Sequence, residues 1–394
     1  MTRYFPDGRR FYRADAFHGA CRAAVAILAV TALAALLLAP GSHGSPGSGD
    51  TGPAVAAGSG MPRIRGITLG MIEDNRWSIR GYGTPGSDWA LREIAGLGAD
   101  WTSITPYATM ISRDDVEVIP WFEHSREDLE EEIRVTIRQA HAIGLRVLLI
   151  PHVYPWDWSW RGQLNPGGGP SGTPEGWDRW FASYREYLLS WARVAAEEGV
   201  EMMSIGVEFK SASWIHRDRF ALLADEVRET YGGLLVYSAN WDEVEDVGFW
   251  SHVDVIGLNA FYPVSEKRRP DPEDMLATSA AFADSLAYLS RIHGKPIVFT
   301  EVGFKSYRDT YREPWVWPED MGDVPPDDAM QALLFDVTFA TYWDEEWFGG
   351  LFVWKFLADP ADDSQEPPFG FSPRLKPAQD VIEGWFRYGP APGR

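Results

Sequence analysis

The sequence predicts a closed barrel of eight parallel strands alternating with helices, a (β/α)8 or TIM barrel, and three observations lead there. Short apolar runs rich in β-branched residues recur eight times after Met61, and most are followed by a segment of helical periodicity. Several of these runs, VLLIPH, MMSIGVE, VDVIGLN and PIVFTE, are nearly continuous in apolar residues, as parallel strands buried on both faces must be. The first strand is followed by MIEDNRW rather than by a glycine-rich phosphate turn, which disfavours an open doubly wound sheet.

The strands are expected at Ile64–Gly70, Trp101–Pro106, Arg146–His152, Met202–Glu208, Leu234–Asn240, Val253–Asn259, Pro296–Glu301 and Gly349–Trp354. Between and after them, helices are expected at Asp88–Gly96, Arg126–Ile143, Glu175–Glu198, Arg217–Tyr231, Pro272–His293, Asp327–Tyr342 and Pro377–Trp385, with a short connection around Trp241–Phe249. Arg126–Ile143 has the clearest 3.6-residue pattern. Its first turn is acidic, which suits the positive end of a helix dipole.

Three segments precede or make up this domain of residues 62–390. Residues 1–22 are basic, with Arg3, Arg9, Arg10, Arg13 and Arg22. Residues 23–39 are uncharged and apolar, and read as a single membrane anchor or a signal segment. The arginines precede that run and no basic residue follows until Arg63. The N-terminus is therefore expected in the cytoplasm and the rest outside it, anchored to the membrane or secreted after cleavage. Residues 40–61 are a Gly/Ser/Pro-rich linker. Five of the 36 basic and three of the 57 acidic residues lie before Met61, so the exported part carries a net charge of −23. Such a field repels phosphate backbones and excludes nucleic acid as an expected partner.

The single cysteine excludes an internal disulfide or a multi-thiolate metal site, and no HExxH, GxSxG or phosphate-loop motif occurs. No metal and no cofactor is expected. The 19 Trp, 15 Tyr and 20 Phe fit either a large aromatic core or a cleft for flat, uncharged sugar rings. Trp156, Trp158 and Trp160 alternate after the third strand and could serve either purpose.

Barrel active sites lie at the C-terminal ends of the strands. Those ends carry His152, Glu208, Asn240 with Trp241, Asn259 with Tyr262, Glu301, and Trp354. Glu208 and Glu301 close the fourth and seventh strands. Those strands face each other across the mouth, so two carboxyl groups can flank one substrate. Retaining glycoside hydrolysis needs such a pair, one protonated to release the leaving oxygen and one ionised to attack.

The stretches WRGQLNP at 160–166, SIGVEF at 204–209, VYSANWDEV at 236–244, KPIVFTEVGF at 295–304, GGLFVWKF at 349–356 and GFSPRLKPAQDVI at 370–382 occur in one order and spacing. In them the chain resembles glycoside hydrolase family 113, from about Arg65 to the C-terminus. The resemblance implies a retaining β-1,4-mannanase that needs no metal. It implies Glu208 as acid/base, Glu301 as nucleophile, Trp354 as the floor of the sugar site and Tyr262 as a tyrosine near the nucleophile. By the same resemblance Asn240, Trp241, His152, Arg161 and Asn165 are substrate contacts, and Asn259 is expected to join them from its place at a strand end. In many members of the wider clan an asparagine precedes the acid/base and binds the sugar 2-hydroxyl. Here Val207 stands in that place, so another donor or another sugar is expected. The alternatives to a mannanase are a hydrolase or transglycosylase of another β-linked polysaccharide, and a non-catalytic polysaccharide-binding barrel.

Overall fold

A computed structural model describes residues 62–73, 79–120, 126–317, 321, 324–361 and 367–390. The basic tail, the apolar run 23–39 and the linker lie outside the described residues. Among the described residues, no helix is long and apolar enough to cross a membrane.

Eight parallel strands close into a barrel: β1 (Ile64–Gly70), β2 (Trp101–Ile104), β3 (Arg146–Leu149), β4 (Met202–Val207), β5 (Leu234–Asn240), β6 (Val255–Asn259), β7 (Ile297–Val302) and β8 (Phe348–Leu357). Their order around the barrel is that of the chain, and β1 closes it by pairing with both β2 and β8. Every expected strand is present. The helices are α1 (Pro85–Gly96), α2 (Arg126–Ala142), α3 (Pro174–Glu198), α4 (Lys210–Ile215), α5 (Arg217–Thr230), α6 (Pro272–His293), α7 (Asp328–Tyr342) and α8 (Pro377–Tyr388). Between β5 and β6 the chain forms turns and one 3-10 turn, Trp250–His252.

The core has two compartments. Ile64, Trp101, Leu148, Ile150, Met202, Val207, Val236, Val255, Val298 and Phe352 form a separate buried cluster to which every strand contributes, which is the barrel interior. A larger cluster fills the space between the strands and the surrounding helices. Gly66 makes room for the Phe352 ring: a Cβ there would come within 2.3 Å of it.

Two strands stop at least two residues short of expectation, while β8 runs on to Leu357 and the ends of β4 and β7 move by one residue. β2 and β3 stop at Ile104 and Leu149, short of the predicted Pro106 and His152. Pro106 and Pro151 have no N–H to give to the ladder, so the barrel strands end before them. The chain then resumes as Tyr107–Met110 and His152–Pro155, which pair in parallel, with Ile119–Pro120 added antiparallel to the first. This small second sheet extends the barrel mouth, and His152 opens its strand rather than closing a barrel strand. One end of α1 also moves: the helix begins at Pro85, behind a Thr84 capping box, three residues before Asp88.

Candidate active site

β4 ends at Val207, whose side chain is buried in the barrel interior and does not reach the mouth. Glu208 follows with a φ of +53°, a left-handed conformation that costs a non-glycine residue about 1 kcal/mol. Neighbouring groups hold it there. The Glu208 N–H donates to the Ser238 carbonyl at 2.9 Å, and the Phe209 N–H donates to the Tyr237 hydroxyl at 3.0 Å. That hydroxyl in turn donates to Glu243 Oε1 at 2.6 Å. Glu243 is buried, and burial together with the charge of Glu208 pushes its carboxyl up to about 8.

The bend aims the Glu208 carboxylate inward. Its Oε1 accepts from Asn259 Nδ2 at 2.9 Å, and its Oε2 accepts from Arg161 Nε and Nη2, both at 3.3 Å. The Trp160 indole N–H lies 3.5 Å from the same oxygen. Asn259 cannot turn freely, because its Oδ1 accepts from Thr300 Oγ1 at 2.9 Å.

Glu301 comes from β7, in register with Asn259 of β6, and is 3 % exposed. Burial and then the charge of Glu208 push its carboxyl up to about 8; the positive charges of Arg161 and Lys355 and the Asn259 amide oppose this. Its nearest imidazole is His152, with Nε2 3.6 Å from Glu301 Oε1. Arg161 Nη1 lies 3.1 Å from His152 Nδ1, and since a guanidinium can only donate, Nδ1 must accept. Burial, then the charges of Arg161 and Lys355, hold the imidazole well below its ordinary pKa, so it is neutral. The remaining proton is therefore on Nε2, facing Glu301. Both His152 Nε2 and Glu301 Oε1 are buried without a hydrogen bond. A donor and an acceptor left unpaired side by side are what a substrate hydroxyl would satisfy.

Trp354 supplies a flat wall. Its ring is nearly parallel to that of His152, at 6.3 Å and 6°, and it clusters with Phe261 and Phe371. Trp241 packs against that cluster. The Trp354–Lys355 peptide is cis. The ladder register of β8 shifts on both sides here, so Lys355 also turns toward the mouth. Its ammonium lies 4.8 Å from the centre of the Trp354 ring and 5.8 Å from that of Trp317. Its stem crosses Gly70, where a Cβ would come within 2.6 Å of Cδ.

Of the residues singled out in the sequence, Glu208, Glu301, His152, Arg161, Asn259 and Trp354 meet in one constellation. Three others are engaged elsewhere. The Tyr262 ring packs on Phe282 of α6 at 4.1 Å and on Trp241, and no hydrogen bond joins it to Glu301 among the described residues. Its strand has ended, so it leans outward over the helix layer. Asn240 donates to Asp242 Oδ1 at 2.8 Å, and the Asn165 amide braces its own loop through the Gly169 carbonyl. Trp156 packs against the core, whereas Trp158 is 60 % exposed. Sequence reasoning missed Lys355, because strict alternation after Trp354 turns it outward, and the register shift that reverses this has no sequence signal. It also missed the Tyr237–Glu243 support beneath Glu208. Among the described residues, no group of three or more His, Cys, Asp or Glu could hold a metal ion.

Residues 77–367 match the profile of Glycoside Hydrolase Family 113. Among solved structures, a GH113 β-1,4-mannanase described as a complex superposes with a TM-score of 0.72 at 25 % identity, covering 83 % of this chain and 100 % of the other. The GH113 β-mannanase AaManA from Alicyclobacillus acidocaldarius, in complex with ManMIm, superposes with a TM-score of 0.70 at 28 % identity, covering 84 % and 99 %. A family 5 mannosidase from Rhizomucor miehei, 11 % identical with a TM-score of 0.54, shares the fold. No curated protein matches the chain.

Proposed function

The chain belongs to glycoside hydrolase family 113, and from that membership we propose that it hydrolyses β-1,4-linked mannan by double displacement, with Glu208 as acid/base and Glu301 as nucleophile. One observation carries the assignment of these two groups: carboxyls from β4 and β7 are coupled through Asn259, Arg161 and His152 at the barrel mouth, beside an aromatic wall.

Glu301, held up to about 8, keeps a proton at neutral pH. The reaction uses the form with that proton on Glu208. A sugar hydroxyl that donates to the unpaired Glu301 Oε1 favours its ionised form and shifts the proton across. In the first step a sugar ring rests on Trp354. Glu208 gives its proton to the glycosidic oxygen, and a Glu301 oxygen bonds to the anomeric carbon as the leaving sugar departs. In the second step Glu208, now ionised, takes a proton from water. The water oxygen bonds to the anomeric carbon and the Glu301 ester bond breaks, so the configuration is retained. With Val207 buried, the unpaired His152 Nε2–H is a donor able to bind a sugar hydroxyl beside the reacting carbon.

Replacing Glu301 with Ala should abolish hydrolysis of mannan, and azide should then rescue turnover to a product of inverted configuration. Near-wild-type turnover by Glu301→Ala would refute the assignment. Membrane anchorage through residues 23–39, with the barrel outside the cytoplasm, is part of the same proposal. It rests on the arginines before that run.

A further inference from the structure

The loop after β7 carries two tryptophans unlike those of the core. Trp315 and Trp317 are 39 % and 40 % exposed, in a chain whose other aromatic side chains are mostly buried. Trp315 stacks on Trp241 at 5.4 Å and 27°, and Trp317 meets Trp354 edge-on at 6.4 Å. Trp241 packs against the Trp354 cluster in turn. The four indoles therefore run continuously from the end of β5 to the end of β8, and the two loop members extend the aromatic wall outward from the Glu208–Glu301 pair. Exposed flat apolar rings next to a sugar site, carrying no charge of their own, match the faces of uncharged pyranose rings.

The same loop is held unusually firmly. Lys305 is fully buried. Its ammonium donates to the carbonyl of Pro314 at 2.8 Å, lies 3.4 Å from that of Glu313, and sits 4.8 Å from the centre of the Phe371 ring. Pro314 directly precedes Trp315, and Phe371 belongs to the Trp354 cluster. Further along, the Tyr311 hydroxyl donates to the carbonyls of Lys267 and Arg268, and its own carbonyl accepts from the Val264 N–H at 2.7 Å. Burying an ammonium against two carbonyls and a ring face is costly, and burial lowers its pKa to about 7 against the opposing charge of Glu313. An apolar side chain would fill the space more cheaply, but it could not grip the two carbonyls ahead of Trp315.

We propose that Trp315 and Trp317 form a second sugar-binding platform, which takes a neutral pyranose ring of the same polymer beyond the ring being cleaved, and that Lys305 is the positioning residue that holds it. The inference rests on the mannan reading above. It makes the enzyme's affinity depend on chain length.

The test compares mannohexaose with mannobiose, using KM and kcat for the active enzyme and calorimetric Kd in the Glu301→Gln background. The full chain is used throughout. Trp315→Ala and Trp317→Ala should each weaken mannohexaose binding about tenfold relative to mannobiose. The double variant should erase the preference for the longer chain. Lys305→Met should reproduce that loss as a rise in KM for the hexaose larger than its change in kcat, with circular dichroism confirming the fold. If the double tryptophan variant binds mannohexaose as tightly as the parent, the platform is overturned. If folded Lys305→Met keeps the parental length dependence, the positioning role is overturned. Failure of the substrate reading shows separately, as a wild-type enzyme that releases no reducing ends from mannan. The same length comparison is then made on the hexaose and biose of whichever β-linked polymer it cleaves, with the same outcomes deciding.

Discussion

Glu243→Gln should make the protein more stable as pH rises, by an amount that the buried carboxyl sets. Glu243 lies beneath the Glu208 turn, 2 % exposed, with Oε1 taken by Tyr237 and Oε2 buried without a partner. Its folded pKa is about 8 against an ordinary 4.5. Between those values the folded state keeps a proton that the unfolded chain releases, so stability falls as pH rises through the window. At 1.36 kcal/mol per unit, the loss is below about 1 kcal/mol at pH 5 and about 3 kcal/mol at pH 7. Glutamine keeps the acceptor for the Tyr237 hydroxyl and has nothing to titrate. For a domain of this size the unfolding entropy is roughly 0.7 kcal/mol per kelvin, so the gain is about 3–4 °C between pH 5 and pH 7. Calorimetric melting of both proteins at pH 5, 6, 7 and 8 reads it directly. Two melting curves that stay parallel across that range would show that Glu243 is not a buried, raised carboxyl, and the account of what supports the Glu208 turn would fall with it.

The pH–rate profile should drop on the alkaline side near the value of about 8 held by Glu301, as that carboxyl loses its proton; Lys355→Met, by removing a positive charge that opposes the shift, should move that limb to higher pH. A limb that stays in place would exclude Lys355 from the site's electrostatics. Arg161→Met leaves Glu208 without its guanidinium and His152 without its donor. It should destabilise the fold by about 3 kcal/mol and reduce kcat, as read by thermal melting and initial rates. Gly66→Ala drives a methyl into the Phe352 ring in the barrel interior and should cost about 1–3 kcal/mol, with activity per folded molecule preserved. A melting temperature equal to wild type would mean that the interior is packed differently.

The barrel itself could be read from sequence because its signals are local. An apolar run of β-branched residues reports a strand buried on both faces, and the helical period between such runs reports the layer outside. The two glutamates were legible for a related reason: a carboxylate ending a run like MMSIGV or PIVFT has to leave the interior at the mouth. What the sequence could not decide was where side chains go once the strands stop alternating. Tyr262 lies beyond the end of β6 and turns to the α6 side, where direction is set by packing and not by period, whereas Asn240, in register with Asn259, is taken by its neighbour Asp242. Lys355 is the converse case, brought inward by a register shift in β8 that depends on its pairing with β1 and β7. The protonation of the site is likewise a tertiary property. Glu208, Arg161, Lys355 and Asn259, some forty to a hundred and forty positions away in the chain, act on the Glu301 carboxyl only because the closed barrel gathers them out of water, where a charge a few ångströms away is poorly screened. The sequence thus determined the barrel and the identity of its two central carboxyl groups, whereas the tertiary structure decided which neighbours surround them and how far burial raises Glu301.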